Sequence, residues 1–162
     1  MTTKKTLLPG AIVLGMHDAL VSQTGIIAGL TFSLADRYLI IMTSIISAVA
    51  AGLSMAASNY LANKTNDSDH AILAGLVTGT TYLGTSALLI LPFLMTQNVR
   101  AAITSAFIIA IIIIFVCNWG ICRTKERPFW RHTLEMLIIC STVSIVAFII
   151  GEAAKLWLGI II

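Results

Sequence analysis

The chain has 162 residues, of which 58% are hydrophobic and only 10% charged. No water-soluble core uses that much apolar surface, so the composition indicates a membrane protein and excludes a soluble globular domain. The net charge of +3 is spread over the loops, without the basic stripe that a nucleic-acid-binding protein would carry.

Five apolar runs follow one another, at residues 7–34, 38–62, 71–95, 101–122 and 134–158. Each is near or above the ~20 residues needed to cross a bilayer. They predict one all-α integral membrane domain, a bundle of five transmembrane helices. The first run is longer than a signal-peptide core and lacks an A-x-A cleavage site, so it reads as a retained helix. Basic residues set the orientation, because short cytoplasmic loops are rich in lysine and arginine. With the amino terminus inside, Lys4, Lys5, Lys64, Arg123, Lys125, Arg127 and Arg131 are cytoplasmic and only Arg37 and Arg100 are outside, which puts the carboxyl terminus outside. Tyr38 and Trp157 then mark the outer interface, and Tyr60, Trp119, Phe129 and Trp130 the inner one. The host would be the cell or inner membrane of a bacterium, or a vacuolar or other organellar membrane of a eukaryote.

Span one holds the residue that most needs a reason. Asp18 lies in the middle of LLPGAIVLGMHDALVSQTGIIAGLTF, with no lysine or arginine near in sequence. A carboxylate at mid-depth costs at least ~3 kcal/mol on insertion scales, so it normally faces a partner, an ion or water. At ~100° per residue, Ala11, Gly15, Asp18, Ser22, Gly25 and Gly29 share one stripe, all small except the aspartate. Such a stripe lets helix backbones approach, which for the glycines alone reads as plain helix packing; joined to the resemblance given below, it leads to the expectation of a twofold homodimer in which the glycine stripe of span one meets its symmetry mate. His17 points away from this stripe and reads as a packed or hydrogen-bonded histidine.

Span two repeats the pattern with Ser44, Ala48, Gly52, Met55, Asn59 and Ala62. Counted from the cytoplasmic ends, Asp18 lies ~15 Å deep and Met55 ~10 Å deep, so facing helices could bring them together. A carboxylate oxygen beside a thioether sulfur suits a borderline ion such as Fe²⁺ better than Mg²⁺ or Ca²⁺.

The loop after span two carries Asp67, Asp69 and His70, which read as a solvated cap for span three and not as a metal site. In span three, Thr78, Thr80, Thr81 and Tyr82 can bond helix carbonyls or neighbouring helices without touching an ion. Span four is isoleucine-rich and expected to face lipid. Pro128 and the basic residues around it predict an interfacial turn. In span five, Glu152 and Lys155 are spaced for an interfacial pair, and Glu135 falls at the inner headgroup level. Cys117, Cys122 and Cys140 lack ligand spacing and read as buried thiols.

The segments GMHDALVSQTGIIAGL, AVAAGLSMAASNYLA and AGLVTGTTYLGTSALLILPFLM resemble the three signature stretches of the vacuolar iron transporter family, which includes yeast-type vacuolar iron and manganese importers. Order and spacing match, closely over spans one to three and in hydropathy alone over spans four and five. The resemblance implies a five-span homodimer that exports Fe²⁺, and often Mn²⁺, from the cytoplasm by proton antiport, along an interface path lined by the first two helices. By motif match the family's intramembrane aspartate falls on Asp18 and its methionine on Met55. Asn59 stands where the family has glutamate, making a neutral amide of a charged ligand at the cytoplasmic mouth. Ser22, Ser54 and Gly25 are further candidates for lining the path. The carboxylate-rich insert of plant members is missing, and Ala19 follows the aspartate where the family has glycine.

The ion would be cargo, with protons as its counter-substrate, and the chain needs no cofactor. No enzyme motif appears: there is no G-x-S-x-G, H-E-x-x-H or G-x-x-x-x-G-K. The rival expectation is a non-transporting scaffold or dimerisation module in which Asp18 is a protonated packing residue.

Overall fold

A computed structural model describes residues 4–34, 36–125 and 129–158. These form α1 (Lys4–Leu34), α2 (Arg37–Thr65), α3 (Ala71–Met95), α4 (Val99–Lys125) and α5 (Phe129–Leu158), and every helix contains a segment long and apolar enough to cross a membrane. The described residues contain no strand. Arg127 and Pro128, expected in an interfacial turn, lie outside them.

The helices overrun the apolar runs because polar side chains close their ends. Asp36 caps α2 by accepting from the Leu39 N–H at 3.0 Å, and Asn98 caps α4 by accepting from the Arg100 N–H at 3.0 Å. At the far end of α2, Asn63, Thr65 and Asn66 donate to the carbonyls of Asn59, Leu61 and Ala62, carrying that terminus beyond the last apolar residue. The segment expected to cap α3 does lead into its N-terminus, but without a side-chain cap. His70 occupies the N-cap without a side-chain cap bond, and Asp67 instead turns the chain at φ 51°, a left-handed conformation that aspartate tolerates.

α3 is the spine of the bundle, and its Tyr82, Leu89 and Phe93 are buried. It runs antiparallel to α2 at very short range: a Cβ on Gly75 would lie 2.6 Å from the Ala56 carbonyl oxygen, and one on Gly79 2.8 Å from Ala56 Cβ. It runs parallel to α1, where Gly15 sits on the Thr78 carbonyl with no room for a side chain. Glycine is required at these contacts to bring backbone onto backbone. α4 turns Ala102, Ala106, Ala110 and Ile114 inward and leaves Ile108, Ile111, Ile112 and Val116 exposed, a division that suits a lipid-facing helix.

The glycine stripe of α1 corrects one expectation. It does not await a symmetry mate, because its neighbours come from the same chain. Gly15 meets α3, while Cβ atoms on Gly25 and Gly29 would lie 3.0 Å from Val143 Cγ1 and 3.1 Å from the Ala147 carbonyl of α5. Small residues admit a neighbouring backbone without specifying which one.

Candidate metal-ion site

Asp18 lies on α1 between these two contacts, after the turn covered by α3 and before the turns covered by α5. By helical rise it is ~16 Å from the Leu7 end of the membrane segment and ~20 Å from the Thr31 end. The residue is half-buried. Among the described residues, no group donates a hydrogen bond to its carboxylate or pairs with it; its one side-chain contact is through the backbone carbonyl, which accepts from Ser22 Oγ at 2.7 Å.

Ser22 is therefore occupied. Its single proton goes to the Asp18 carbonyl, so the Tyr82 hydroxyl, 2.6 Å from Ser22 Oγ, must be the donor in that pair. Tyr82 is fully buried on α3, and its ring edge lies 3.4 Å from where a Cβ on Gly52 of α2 would stand.

On α2, Met55 is half-buried, and Ser54 beside it is exposed on the outside of the bundle. Asn59, one turn further on, is turned towards α3. Its amide nitrogen donates to Thr78 Oγ1 at 2.5 Å and to the Ala74 carbonyl at 3.2 Å, while its oxygen accepts from Asn63 at 2.8 Å. The single Thr78 hydroxyl proton is shared between the Ala74 carbonyl of its own helix at 2.9 Å and the Ala11 carbonyl of α1 at 3.2 Å. Asn59 is thus a clamp among three helices, and a carboxylate in its place could not donate to Ala74. Gly25 is closed off by Val143, which removes it from any path along the outer face of α1.

The described residues hold no group of three or more His, Cys, Asp or Glu that could bind a metal. What one chain offers is a bare carboxylate on α1, a thioether on α2, and a third helix tying those two together. Hydroxyls in an apolar run at the depth of Asp18 were the sequence signal for Thr78 and Tyr82, but nothing in the sequence named their partners.

A carboxylate at mid-depth of an all-α, five-span membrane protein, with no bond to its oxygens among the described residues, marks a candidate functional site. Residues 10–71 match the model of the VIT family, a stretch that covers most of α1, all of α2 and the turn into α3. Over that stretch, less than half of the chain, the sequence is similar to the VIT family, and the match takes in Asp18, Met55 and Asn59. No curated protein matches the chain.

Proposed function

We propose that this protein carries a divalent transition-metal ion, Fe²⁺ or Mn²⁺, out of the cytoplasm in exchange for protons. The path lies between two copies of the chain and is lined by α1 and α2. Asp18 supplies the anionic oxygen, and Met55 a thioether that favours the softer ion. Asn59 braces the helices instead of attracting the ion at the mouth.

The observation that carries this reading is the carboxylate of Asp18, half-buried at mid-depth with no bond to its oxygens among the described residues. A packing residue would be expected to hydrogen-bond a neighbouring helix, as Asn59 and Tyr82 do. A single carboxylate and a single thioether also make a thin ligand set, which two copies would double. Exchange follows from the same oxygens, because a carboxylate binds either a proton or a metal ion, and loading one displaces the other.

The test is uptake of Fe²⁺ and Mn²⁺ into proteoliposomes, with and without an imposed pH gradient. Ion uptake driven by the gradient and abolished by Asp18→Asn in a folded protein is expected. Wild-type protein that moves no divalent ion under any gradient would instead favour a scaffold with Asp18 as a protonated packing group.

A further inference from the structure

Two helices carry the proposed ligands, and α3, which contributes no ligand, packs against both of them, while α5 also packs against α1. Two side chains of α3, one turn apart, make the connection. Thr78 accepts from Asn59 of α2 and reaches the Ala11 carbonyl of α1. Tyr82 packs its ring against the Gly52 turn of α2 and puts its hydroxyl on Ser22 of α1. The second rung matters more for the site. Ser22 is one turn from Asp18 and bonded to its carbonyl, and Gly52 is almost one turn from Met55.

We propose that Tyr82 is a positioning residue for the ion site, setting how far the Asp18 turn of α1 stands from the Met55 turn of α2 and thereby which divalent ion the pair prefers. This rests on the reading of Asp18 and Met55 as ligands.

The geometry assigns Tyr82 a structural brace and not a proton wire. Tyr82 donates to Ser22, Ser22 donates to the Asp18 carbonyl, and there the chain ends, because a backbone carbonyl has no proton to pass on. That carbonyl also lies at the i−4 position to the Ser22 N–H, so a further donor on it bends the helix slightly and fixes the turn from which the Asp18 side chain departs. On the other side, Gly52 leaves room for the ring and for Leu83, whose Cδ2 lies 3.0 Å from where a Cβ would stand. A rigid ring filling that gap limits how closely the two turns can approach. Ligand geometry depends on that limit, since a carboxylate and a thioether hold an ion at different bond lengths and a looser pair discriminates less.

The experiment is uptake of Fe²⁺ and Mn²⁺ by Tyr82→Phe, Ser22→Ala, their double variant and Ser22→Thr, in liposomes alongside wild type and Asp18→Asn. Tyr82→Phe keeps the ring and removes only the hydroxyl. We expect apparent KM to rise about 3- to 15-fold, the range that one buried interhelical hydrogen bond supports, with maximal rate little changed and the Fe²⁺ to Mn²⁺ preference reduced. The double variant should be no worse than the poorer single one, because the two hydroxyls act as a unit, and Ser22→Thr should stay near wild type. If Tyr82→Phe does not fold, Ser22→Ala against Ser22→Thr carries the same comparison. Unchanged KM and ion preference with transport intact and Asp18→Asn inactive would overturn the positioning role alone. Loss of maximal rate with an unaltered preference would overturn it too. If wild type and Asp18→Asn handle the ions identically, the ion-site reading falls and this one with it.

Discussion

Asn59 offers the sharpest division between what sequence and structure predict. From the resemblance alone, Asn59→Glu restores a carboxylate at the mouth of the path and lowers the apparent KM by adding negative potential. The geometry predicts a cost. The amide nitrogen makes two bonds to α3, at 2.5 Å to Thr78 and 3.2 Å to the Ala74 carbonyl, and neither can be donated by a carboxylate. Interhelical hydrogen bonds inside membranes are worth ~0.6 kcal/mol on average and up to ~1.7. Asn59→Ala should therefore destabilise the bundle by ~1–3 kcal/mol. Asn59→Glu should cost at least as much, because it also sets an anion against a carbonyl oxygen unless the longer side chain swings away. The assay is reversible unfolding in detergent or bicelles, paired with uptake kinetics on the same preparations. If Asn59→Ala unfolds with wild-type stability, the clamp holds nothing. A lower KM for Asn59→Glu at undiminished stability would return the residue to the mouth of the path.

Asp18→Asn should abolish gradient-driven uptake while leaving thermal unfolding within about 1 kcal/mol of wild type, because no described residue bonds the carboxylate; a large loss of stability would mark Asp18 as a packing residue. Met55→Ala should weaken Fe²⁺ uptake more than Mn²⁺ uptake, and equal losses would remove the thioether from the site. Gly15→Val should cost ~1–3 kcal/mol by forcing a side chain into the Thr78 carbonyl. Gly84→Ala, which meets nothing within 4 Å, should be neutral or add ~0.5–1 kcal/mol in the same unfolding measurement. In a background without other cysteines, Ser54→Cys on the exposed face of α2 should join two copies by a disulfide on oxidation in membranes, and a chain that stays monomeric under those conditions would place that face against lipid.

The five helices were legible because long apolar runs have few other uses, and Asp18 because a charge inside such a run is conspicuous without knowing its neighbours. Partners were not legible. Periodicity put Gly25 and Gly29 on one stripe, but α5 could claim them only through tertiary packing that the pattern does not encode. Asn59 and Tyr82 show the same limit from the polar side: an amide or hydroxyl declares a capacity to bond, and the crossing of helices decides with whom. The ends of α2 and α4 were missed for a local reason, since Asn63, Thr65, Asn66 and Asn98 extend or start helices in residues that hydropathy reads as loop.

Each end of α2 carries a cation over a ring: the Arg37 guanidinium stands 5.2 Å from the Tyr38 ring centre, and the Lys64 ammonium 5.5 Å from that of Tyr60. Such pairs settle at headgroup level, apolar on one side and wet on the other. The two tyrosines are ~33 Å apart along the helix by its rise per residue. A hydrocarbon slab of ~33 Å lets α2 stand upright, whereas one of ~27 Å makes it lean by ~35° to keep both rings at the surface. Met55 rides on that helix and Asp18 on another, so the thickness of the host bilayer enters the alignment of the two ligands. Vesicles of graded acyl-chain length would expose that dependence as a change in ion affinity with no change in sequence.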